Sequence, residues 1–474
     1  MKKILLIEPD YKNKYPPLGL MKISTFHKQK GDHVVFYKGC SSELIEQQWD
    51  RVYISTLFTF HWDKTISTIK FYLPSVKDPS NVFVGGVMAT LMKEDIEKEV
   101  KVTVVEGLLN QKGKLGYSDD DKIDNIIPDY SIIDQKTNHL LNYSYTTNNS
   151  YIAYATRGCI RKCQFCAVPI IEPEFTNSLS IADQVKAIKN EYGEKPHLLL
   201  LDNNILASEK FPEIIEEIKS IGFQKGAKFF RNSNGKKISL NRYVDFNQGI
   251  DARLLTREKM ALLSQIAIRP LRIAFDDITF RNLYIEKIRL ASEYGINTLS
   301  NYILFNYKDS PEDFYERLKI NVELNEEFLK KGLNSRIWSF PMRYSPINGE
   351  YCKNRKYVGE KWNRKYLRGI QCILLTTHGV VGPKKKFFEK AFGKSVEEFL
   401  NILTLPEIFI IYRDHHLKNG DVNKLNNRIN SLNKEQKDKL MQIILSNVYD
   451  NSEAQIIDEG IVDILKLYRT HSGN

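Results

Sequence analysis

The sequence predicts an α/β protein in three parts: a doubly wound, Rossmann-like parallel sheet over residues 1–145, a partial (β/α)6 barrel over 146–346, and a mainly helical domain over 347–474. Three observations predict this fold class. Short apolar runs alternate with amphipathic stretches in the first part, the alternation starts again near residue 150, and helical patterns dominate after residue 347. The length of 474 residues suits two or three domains of about 150 residues each.

The first part contains five short apolar runs that predict strands of a parallel sheet. They are KILLIEP, HVVFYKG, RVYISTLFTF, NVFVGG and KVTVVEG. Helical patterns lie between them, among them LGLMKISTFHKQKG, which Gly31 closes, and WDKTISTIKFYL. The run GYSDDDKIDNIIPDY, residues 116–130, then predicts an exposed linker.

The second part contains six predicted strands with helical patterns between them. The strands are YIAYATRG, HLLLLDNN, YVDFNQGID, LRIAFDD, LSNYILFNY and RIWSFPMRY. The active site of such a barrel lies at the carboxyl ends of its strands. Polar residues stand at those ends, namely Asp202, Asn203, Asn204, Asn247, Gln248, Asp251, Asp276 and Asp277. The same residue types form turns and helix caps, so a structural role stays open for each of them.

The third part begins with a strongly basic stretch. Between Tyr351 and Ser395 there are twelve lysines and arginines against two glutamates, an excess of ten positive charges in a chain of net charge +11. Such a stretch attracts RNA or a phosphorylated substrate. Aromatic residues that could stack on bases are interleaved with it, namely Tyr351, Tyr357, Trp362 and Tyr366. The alternative is a solvated basic face whose aromatic residues pack inward.

Composition indicates a cytoplasmic protein without a membrane segment. No window approaches the roughly 18–20 apolar residues that a membrane span needs. The amino terminus has a basic pair and an apolar run like a signal peptide, but Glu8 and Asp10 follow at once and no cleavage site appears. Six cysteines in a chain of this length do not form a disulfide framework, which suits a reducing compartment.

Three of the six cysteines form a cluster in ATRGCIRKCQFCAVP, residues 155–169. Cys159, Cys163 and Cys166 are spaced three and then two residues apart. A structural zinc site takes four ligands, usually as two pairs, and the next histidine, His197, already lies inside a predicted strand. Four cysteines also hold the usual [4Fe–4S] cluster, so three would leave one iron open to a substrate or cofactor. A non-catalytic zinc or iron–sulfur protein that binds nucleic acid stays open as the alternative to an enzyme.

The Cys-x3-Cys-x2-Cys spacing directly after the first barrel strand, with Phe165 before the last cysteine and the lead-in YATRGC, resembles the radical S-adenosylmethionine (SAM) superfamily. The resemblance spans the predicted barrel. It implies that a [4Fe–4S] cluster held by the three cysteines binds the amino and carboxylate groups of SAM. One electron then cleaves the carbon–sulfur bond to give methionine and a 5′-deoxyadenosyl radical. A flavodoxin- or ferredoxin-like protein is the implied reductant.

The same resemblance implies positions for SAM contacts. Asp202 stands at the end of the second strand, where the family often has Gly-Gly-Glu holding the SAM amino group, although the glycines are missing here. The resemblance also makes Asn203, Asn247, Gln248 and Asp276 candidates for SAM, ribose or substrate contacts, and brings the peptide around Phe165 to the adenine.

The first part resembles the cobalamin-binding domain that precedes the barrel in many radical SAM enzymes. The shared features are YPPLGLMKISTFHKQKGDHV, STL at the end of the third strand and VGG at the end of the fourth. A hydroxyl at Ser55 and the pair Gly85 and Gly86 suit close approach to a flat ligand. The Asp-x-His-x-x-Gly motif of many corrinoid domains is absent, as it commonly is in barrel-fused domains. A Rossmann-like domain that has lost its ligand is the alternative.

Two lone cysteines, Cys352 and Cys372, flank the core of the basic stretch. In some radical SAM methyltransferases such a cysteine acts as an acid, a base or a methyl acceptor, which makes both of them catalytic candidates by resemblance. A lone cysteine is otherwise a small buried hydrophobe. The sequence leaves substrate, product and reaction type unassigned, with cobalamin-assisted methylation among the reactions that the resemblance implies.

Overall fold

The structure is a computed structural model that describes residues 1–177, 180–233, 235–449 and 459–469. The chain divides into two compact units. The first comprises Met1–Arg272 with Ser345–Tyr357, and the second comprises Ile273–Tyr344 with Val358–Asn474. These limits differ from the predicted boundaries at 145 and 346: the main division falls between Arg272 and Ile273, and the short segment Ser345–Tyr357 belongs to the first unit.

A five-stranded parallel sheet forms the amino-terminal part of the first unit, as the apolar runs predict. Its strands are β1 (Lys3–Glu8), β2 (His33–Lys38), β3 (Arg51–Thr56), β4 (Val82–Gly86) and β5 (Thr103–Val105), in the order β2-β1-β3-β4-β5. Its helices are α1 (Leu18–Gln29), α2 (Ser42–Ile45), α3 (Trp62–Tyr72), α4 (Val87–Leu91) and α5 (Lys93–Glu99). The run from Ile4 to Ile7 is fully buried, as expected for a strand covered on both faces. The strand order reverses between β1 and β3, which makes the loops after these strands the usual place for a ligand.

The segment Ser345–Tyr357 adds to the core of this sheet. Cys352 is buried in the same apolar cluster as Trp49 and Met88. Lys353 pairs with Asp95 at 2.7 Å and lies over the ring of Trp62 at 4.1 Å. The beginning of the basic stretch, at Cys352 and Lys353, is therefore attached to the amino-terminal sheet.

The prediction of an exposed linker over residues 116–130 is wrong. Asp120 is buried, and its carboxylate accepts backbone N–H groups of Gly113 at 2.7 Å and Leu115 at 2.6 Å. Asp129 is buried as well and accepts the Ser24 hydroxyl at 2.6 Å. These acidic residues, which the sequence suggests are solvated, instead accept hydrogen bonds from loop amides and from a side chain of helix α1.

The second half of the first unit carries three parallel strands, two small antiparallel pairs and the short strand β13. The strands are β6 (Ser150–Ala153), β7 (Thr156–Arg157), β8 (Thr176–Asn177), β9 (His197–Leu200), β10 (Lys228–Ser233), β11 (Lys236–Asn241), β12 (Tyr243–Phe246) and β13 (Leu271–Arg272). The helices are α6 (Val168–Ile171), α7 (Ile181–Tyr192), α8 (Phe211–Ile218) and α9 (Arg257–Leu263). The parallel sheet has the order β12-β9-β6, while β7 pairs with β8 and β10 pairs with β11.

The second unit combines two long parallel strands with helices. It contains α10 (Arg281–Glu293), β14 (Thr298–Phe305), α11 (Pro311–Lys330) and β15 (Arg336–Arg343). The carboxyl-terminal helices are α12 (Arg364–Thr376), α13 (Lys385–Phe392), α14 (Val396–Thr404), α15 (Glu407–Ile411), α16 (Arg413–Lys418), α17 (Asp421–Ser431), α18 (Lys434–Ser446) and α19 (Glu459–Arg469). A capping box of Ser310 and Asp313 starts α11. The predicted helical carboxyl-terminal region is confirmed.

The strands assigned to the predicted barrel are shared between the units, with β6, β9 and β12 in the first and β14 and β15 in the second. The parallel pairing within each unit agrees with repeated strand–helix connections. The partial (β/α)6 barrel stays a prediction. Among the described residues, no helix has both the length and the apolar character that crossing a membrane requires.

Candidate functional site

The cysteine loop follows β6 at the carboxyl edge of the parallel sheet. Strand β7 intervenes, and Gly158 then leads into Cys159. All three clustered cysteines are half-buried thiols. The Cys166 N–H donates to the Cys163 carbonyl at 3.1 Å, which makes the last two cysteines parts of one tight turn.

The entry to this loop requires glycine. Gly158 has a φ of +71°, and a Cβ at this position would lie 2.1 Å from the carbonyl oxygen of Glu174. Any side chain at this position would therefore clash with the backbone of Glu174. The chain before the cysteines and the chain after them cross at this point.

Glu172 closes the loop from its far side. Its carboxylate accepts the Gly158 N–H at 2.6 Å, the Asn203 side-chain amide at 2.9 Å and the Arg157 guanidinium at 3.1 Å. Arg157 also bonds to Asp124 at 2.6 Å. One carboxylate thus joins the residue before Cys159, the segment after Cys166 and the end of β9.

Asp202 holds the other side of the loop entry. It is buried, and its Oδ1 accepts the N–H groups of Ala155 at 3.0 Å and Thr156 at 2.6 Å, and the Thr156 hydroxyl at 2.7 Å. Burial raises the pKa of Asp202 to about 6, although these hydrogen bonds act in the opposite direction. Its Oδ2 is buried and accepts no hydrogen bond from the described part of the chain.

Donors and cations surround the first thiol. The Arg161 N–H and the Asn204 side-chain amide lie 3.4 and 3.5 Å from the Cys159 Sγ. Asp251 bonds to Arg161 at 3.0 Å and to Arg253 at 2.7 Å. Burial disfavours the charged form of Asp251, but these hydrogen bonds outweigh it and hold its pKa below the ordinary value. The pKa of Arg253 is raised, first by its hydrogen bond to Asp251 and further by the charge of Asp251 and by the nearby sulfur atoms of Cys163 and Cys159.

The other predicted polar residues divide between the units. Asn247 and Gln248 follow β12 at the same edge of the sheet, where Asn247 donates to the Tyr15 hydroxyl at 2.6 Å and Gln248 donates to Asn247 at 3.3 Å. Asp276 and Asp277 belong to the second unit. Asp277 accepts the Thr279 N–H at 2.8 Å and so caps a short helical turn, which is the structural role left open for it.

The described residues do not gather three cysteine, histidine, aspartate or glutamate side chains around a single ion position. A [4Fe–4S] cluster binds each thiolate through a different iron, so its ligands stand further apart than those of one ion. The assignment of Cys159, Cys163 and Cys166 to a cluster stays a prediction.

The predicted residues of the amino-terminal sheet stand at its carboxyl edge. Gly86 has a φ of +107°, and a Cβ there would lie 2.2 Å from the Thr56 carbonyl oxygen. This glycine is therefore required by the close approach of β3 and β4. A Cβ on Gly85 would lie 3.7 Å from the Val105 carbonyl oxygen, an ordinary contact distance, so space does not require glycine there; Ser55 is half-buried beside it.

An aromatic group that the sequence analysis did not assign lies at the switch point of this sheet. Tyr11, after β1, stacks on His61, after β3, with ring centroids 5.4 Å apart. Phe58 and Phe60 stack at 5.0 Å, and Phe58 is 42% exposed. The run LFTFHW, which overlaps the end of the predicted strand RVYISTLFTF and directly follows β3, is the signal that could have identified this group.

The two lone cysteines lie in apolar cores. Cys352 contacts Met92 in the first unit, with the two sulfur atoms 3.9 Å apart. Cys372 is fully buried among the carboxyl-terminal helices, and burial raises its pKa to about 11. These surroundings favour the role of small buried hydrophobes over the catalytic role.

Several residues of the basic stretch are also engaged inside the protein. Lys365 is buried, donates to the Leu405 carbonyl at 2.6 Å, and has its pKa lowered by burial to about 8. Arg368 pairs with Glu407 at 2.6 Å, and Trp362 is buried. Trp362 therefore packs inward, as the alternative to a base-stacking surface predicts.

Comparison with known proteins supports the predicted resemblance at the level of the fold. No family model and no curated protein matches the chain. Among solved structures, the cobalamin-dependent SAM radical enzyme OxsB, with aqua-cobalamin and SAM bound, aligns with a TM-score of 0.52 and 13% identity over 100% of this chain and 84% of that one. The radical SAM methyltransferase TsrM from Kitasatospora setae, with cobalamin and a [4Fe–4S] cluster bound, aligns with a TM-score of 0.49 and 12% identity over 78% of each chain. The chain thus shares the fold of OxsB.

The first prediction concerns Glu172. We expect Glu172→Gln to destabilise the cysteine loop by about 1–3 kcal/mol, because an amide in place of the carboxylate leaves one of three converging donors without an acceptor. Hydrogen–deuterium exchange in the peptide spanning residues 155–172 measures this effect. Glu174→Gln, at an exposed position two residues on, is the matched control. Equal exchange in the two variants would contradict the role of Glu172.

The second prediction concerns Asp202. Its folded-state pKa of about 6 exceeds the ordinary value of 3.8, so its contribution to stability is present at low pH and lost as pH rises through about 6. Asp202→Asn keeps an acceptor oxygen for Ala155 and Thr156 but does not titrate. We expect the free energy of unfolding of the wild type to gain up to about 3 kcal/mol on that of the variant between about pH 7 and pH 4. A difference in thermal midpoint that stays constant with pH would contradict this.

Proposed function

We propose that this chain is a radical SAM enzyme. Cys159, Cys163 and Cys166 would each bind one iron of a [4Fe–4S] cluster and leave the fourth iron for SAM. One observation carries the proposal: the Cys-x3-Cys-x2-Cys loop follows the first strand of a parallel sheet, at its carboxyl edge, in a chain that shares the fold of OxsB. Residues 146–346 would form the partial (β/α)6 barrel of such an enzyme.

The surroundings of the cysteines suit a cluster. The Arg161 N–H and the Asn204 amide, both within 3.5 Å of the Cys159 Sγ, would donate to a thiolate. Arg161 and Arg253 add positive charge, and Asp251 holds both of them in place. Hydrogen bonds and positive charge near the sulfur atoms favour addition of an electron to an iron–sulfur cluster. These residues would raise the reduction potential of the cluster.

Two buried acceptors suit the amino group of SAM. Asp202 Oδ2 and Asn204 Oδ1 lie at the end of β9, and neither is satisfied by the described residues. A buried acceptor without a donor is costly, so both atoms are ready for an ammonium group. Asn203, Asn247 and Gln248 at the same edge, with Phe165 in the cysteine loop, are the further candidates for SAM contacts.

When bound, the cluster would supply one electron to SAM, whose carbon–sulfur bond breaks to give methionine and a 5′-deoxyadenosyl radical. The chain's own residues would orient the SAM ammonium group through Asp202 and Asn204 and keep the loop fixed through Glu172. A flavodoxin- or ferredoxin-like reductant and a cytoplasmic location follow from this chemistry. The exposed lysines 384–386 are the part of the basic stretch best placed to meet RNA or a phosphorylated substrate.

Cobalamin is the second cofactor of the proposal, and methyl transfer the reaction that it favours. When bound, cobalamin would serve as a carrier of the methyl group. The switch point between β1 and β3, with Ser55, Gly85 and Gly86 at the strand ends, is where a doubly wound sheet binds its ligand. The exposed ring of Phe58 offers a flat apolar surface at the same edge.

The third prediction tests the cluster. We expect the anaerobically reconstituted full chain to hold about four iron and four sulfide per chain, and to form 5′-deoxyadenosine from SAM when reduced. Cys163→Ala should remove both properties, whereas Cys40→Ala, at an exposed cysteine outside the loop, should retain them. Stoichiometric zinc without iron would support the non-catalytic nucleic-acid-binding alternative instead.

The fourth prediction tests cobalamin. We expect the full chain to bind one hydroxocobalamin, followed by co-elution in gel filtration and by the visible spectrum. Phe58→Ala should weaken binding by about tenfold, the effect of losing one buried aromatic contact. Phe230→Ala, at another exposed phenylalanine, is the control and should bind normally. Absence of binding would remove methyl transfer through cobalt and leave SAM chemistry without cobalamin.

A further inference from the structure

An antiparallel hairpin, β10 with β11, stands apart from the parallel sheet of the first unit. It precedes β12, and Arg242 joins the two. Arg242 is buried, pairs with Glu194, and places its guanidinium 4.8 Å from the ring of Phe223. The base of the hairpin is thus firmly attached. Neither strand of the hairpin pairs with a strand of the parallel sheet β12-β9-β6.

The two faces of the hairpin differ sharply. Side chains alternate between faces along a strand. One face carries Phe229, Ile238 and Leu240, which are half-buried, together with Arg231 and Lys236, which are exposed. The other face is exposed along its length and has no aliphatic residue; its members are Lys228, Phe230, Asn232, Lys237, Ser239 and Asn241. Phe230 is 54% exposed, and the Lys237 ammonium lies 4.6 Å from the centre of its ring.

The hairpin and its flanks carry an excess of positive charge. Residues 219–244 contain seven lysines and arginines and no aspartate or glutamate. Lys219 pairs with Glu216, and Arg242 pairs with Glu194. The other five show no ion pair within the described part of the chain; they are Lys225, Lys228, Arg231, Lys236 and Lys237. This charge is available to an external anion.

We propose that the exposed face of this hairpin binds single-stranded nucleic acid. Lys228 and Lys237 would contact phosphates, Phe230 would stack on a base, and the amides of Asn232 and Asn241 would reach base edges. An acidic protein partner fits less well, since the face offers one aromatic ring and no other apolar area to bury. This surface is independent of the proposed SAM chemistry.

The position of the hairpin separates it from the cysteine loop. In the parallel sheet Tyr243 pairs with His197, and His197 with Ser150, so the hairpin enters β12 at the amino edge. The cysteine loop leaves the opposite edge, and four-residue strands put about 13 Å between the two edges. A reductant of the cluster would dock at the carboxyl edge, which further favours nucleic acid as the occupant of the hairpin.

The test uses the full chain and a fluorescently labelled, mixed-sequence single-stranded RNA of about 12 nucleotides. Fluorescence anisotropy should show binding that weakens steeply with salt. Phe230→Ala should raise the Kd by about 5- to 100-fold, the effect of one lost base stack. The double variant K228E/K237E should raise the Kd at least about tenfold and reduce the slope of log Kd against log salt by about 0.7 for each lost phosphate contact.

Matched controls make the result decisive. K77E/K101E carries the same change of charge on exposed lysines elsewhere in the chain, and Phe280→Ala removes another exposed ring; both should keep the affinity of the wild type. K384E/K386E makes the same change on the exposed lysines of the other basic stretch and tests that surface in parallel. All variants alter exposed side chains, and unchanged thermal midpoints verify folding. The proposal is overturned if Phe230→Ala and K228E/K237E bind RNA normally, or if only K384E/K386E loses binding. It is also overturned if charge reversal weakens binding but Phe230→Ala does not, or if duplex RNA or anionic vesicles compete equally.

Discussion

The cysteine loop depends on two carboxylates that accept hydrogen bonds from the backbone leading into it. Asp202 binds the amides of Ala155 and Thr156, and Glu172 binds the amide of Gly158. Between them they fix four consecutive residues, 155–158, before the first thiol. Because Gly158 passes against the carbonyl of Glu174, the loop has little freedom to adopt another path. The positions of the three cysteines follow from these contacts rather than from the spacing of the cysteines alone.

The same contacts link the loop to the rest of the first unit. Arg157 connects Glu172 with Asp124, which belongs to the segment between the two sheets. Lys22 of α1 donates to the Tyr154 hydroxyl at 2.8 Å. A continuous polar network therefore runs from α1 of the amino-terminal sheet to the residue before Cys159. If the proposed cofactors bind at the two sheets, this network is the physical connection between their sites.

Local pattern identified most of the secondary structure and the cysteines, but not the long-range contacts. Apolar runs located the strands because their residues are buried on both faces, and the spacing of Cys159, Cys163 and Cys166 is visible within eight residues. Glu172 carries no such signal, since its partners come together only when the chain crosses itself. The burial of Asp120 was missed for the same reason: its donors are backbone amides, which no residue type reveals.

The segment that carries Cys352 has a consequence for synthesis of the protein. The core of the amino-terminal sheet includes a residue that lies more than two hundred positions after its last strand. A nascent chain therefore exposes part of that core to solvent until residues 345–357 have emerged from the ribosome. During this time the surface around Trp62 and Met92 is uncovered, and early docking of a chaperone there would protect it. Completion of the first unit is thus set by translation of the second.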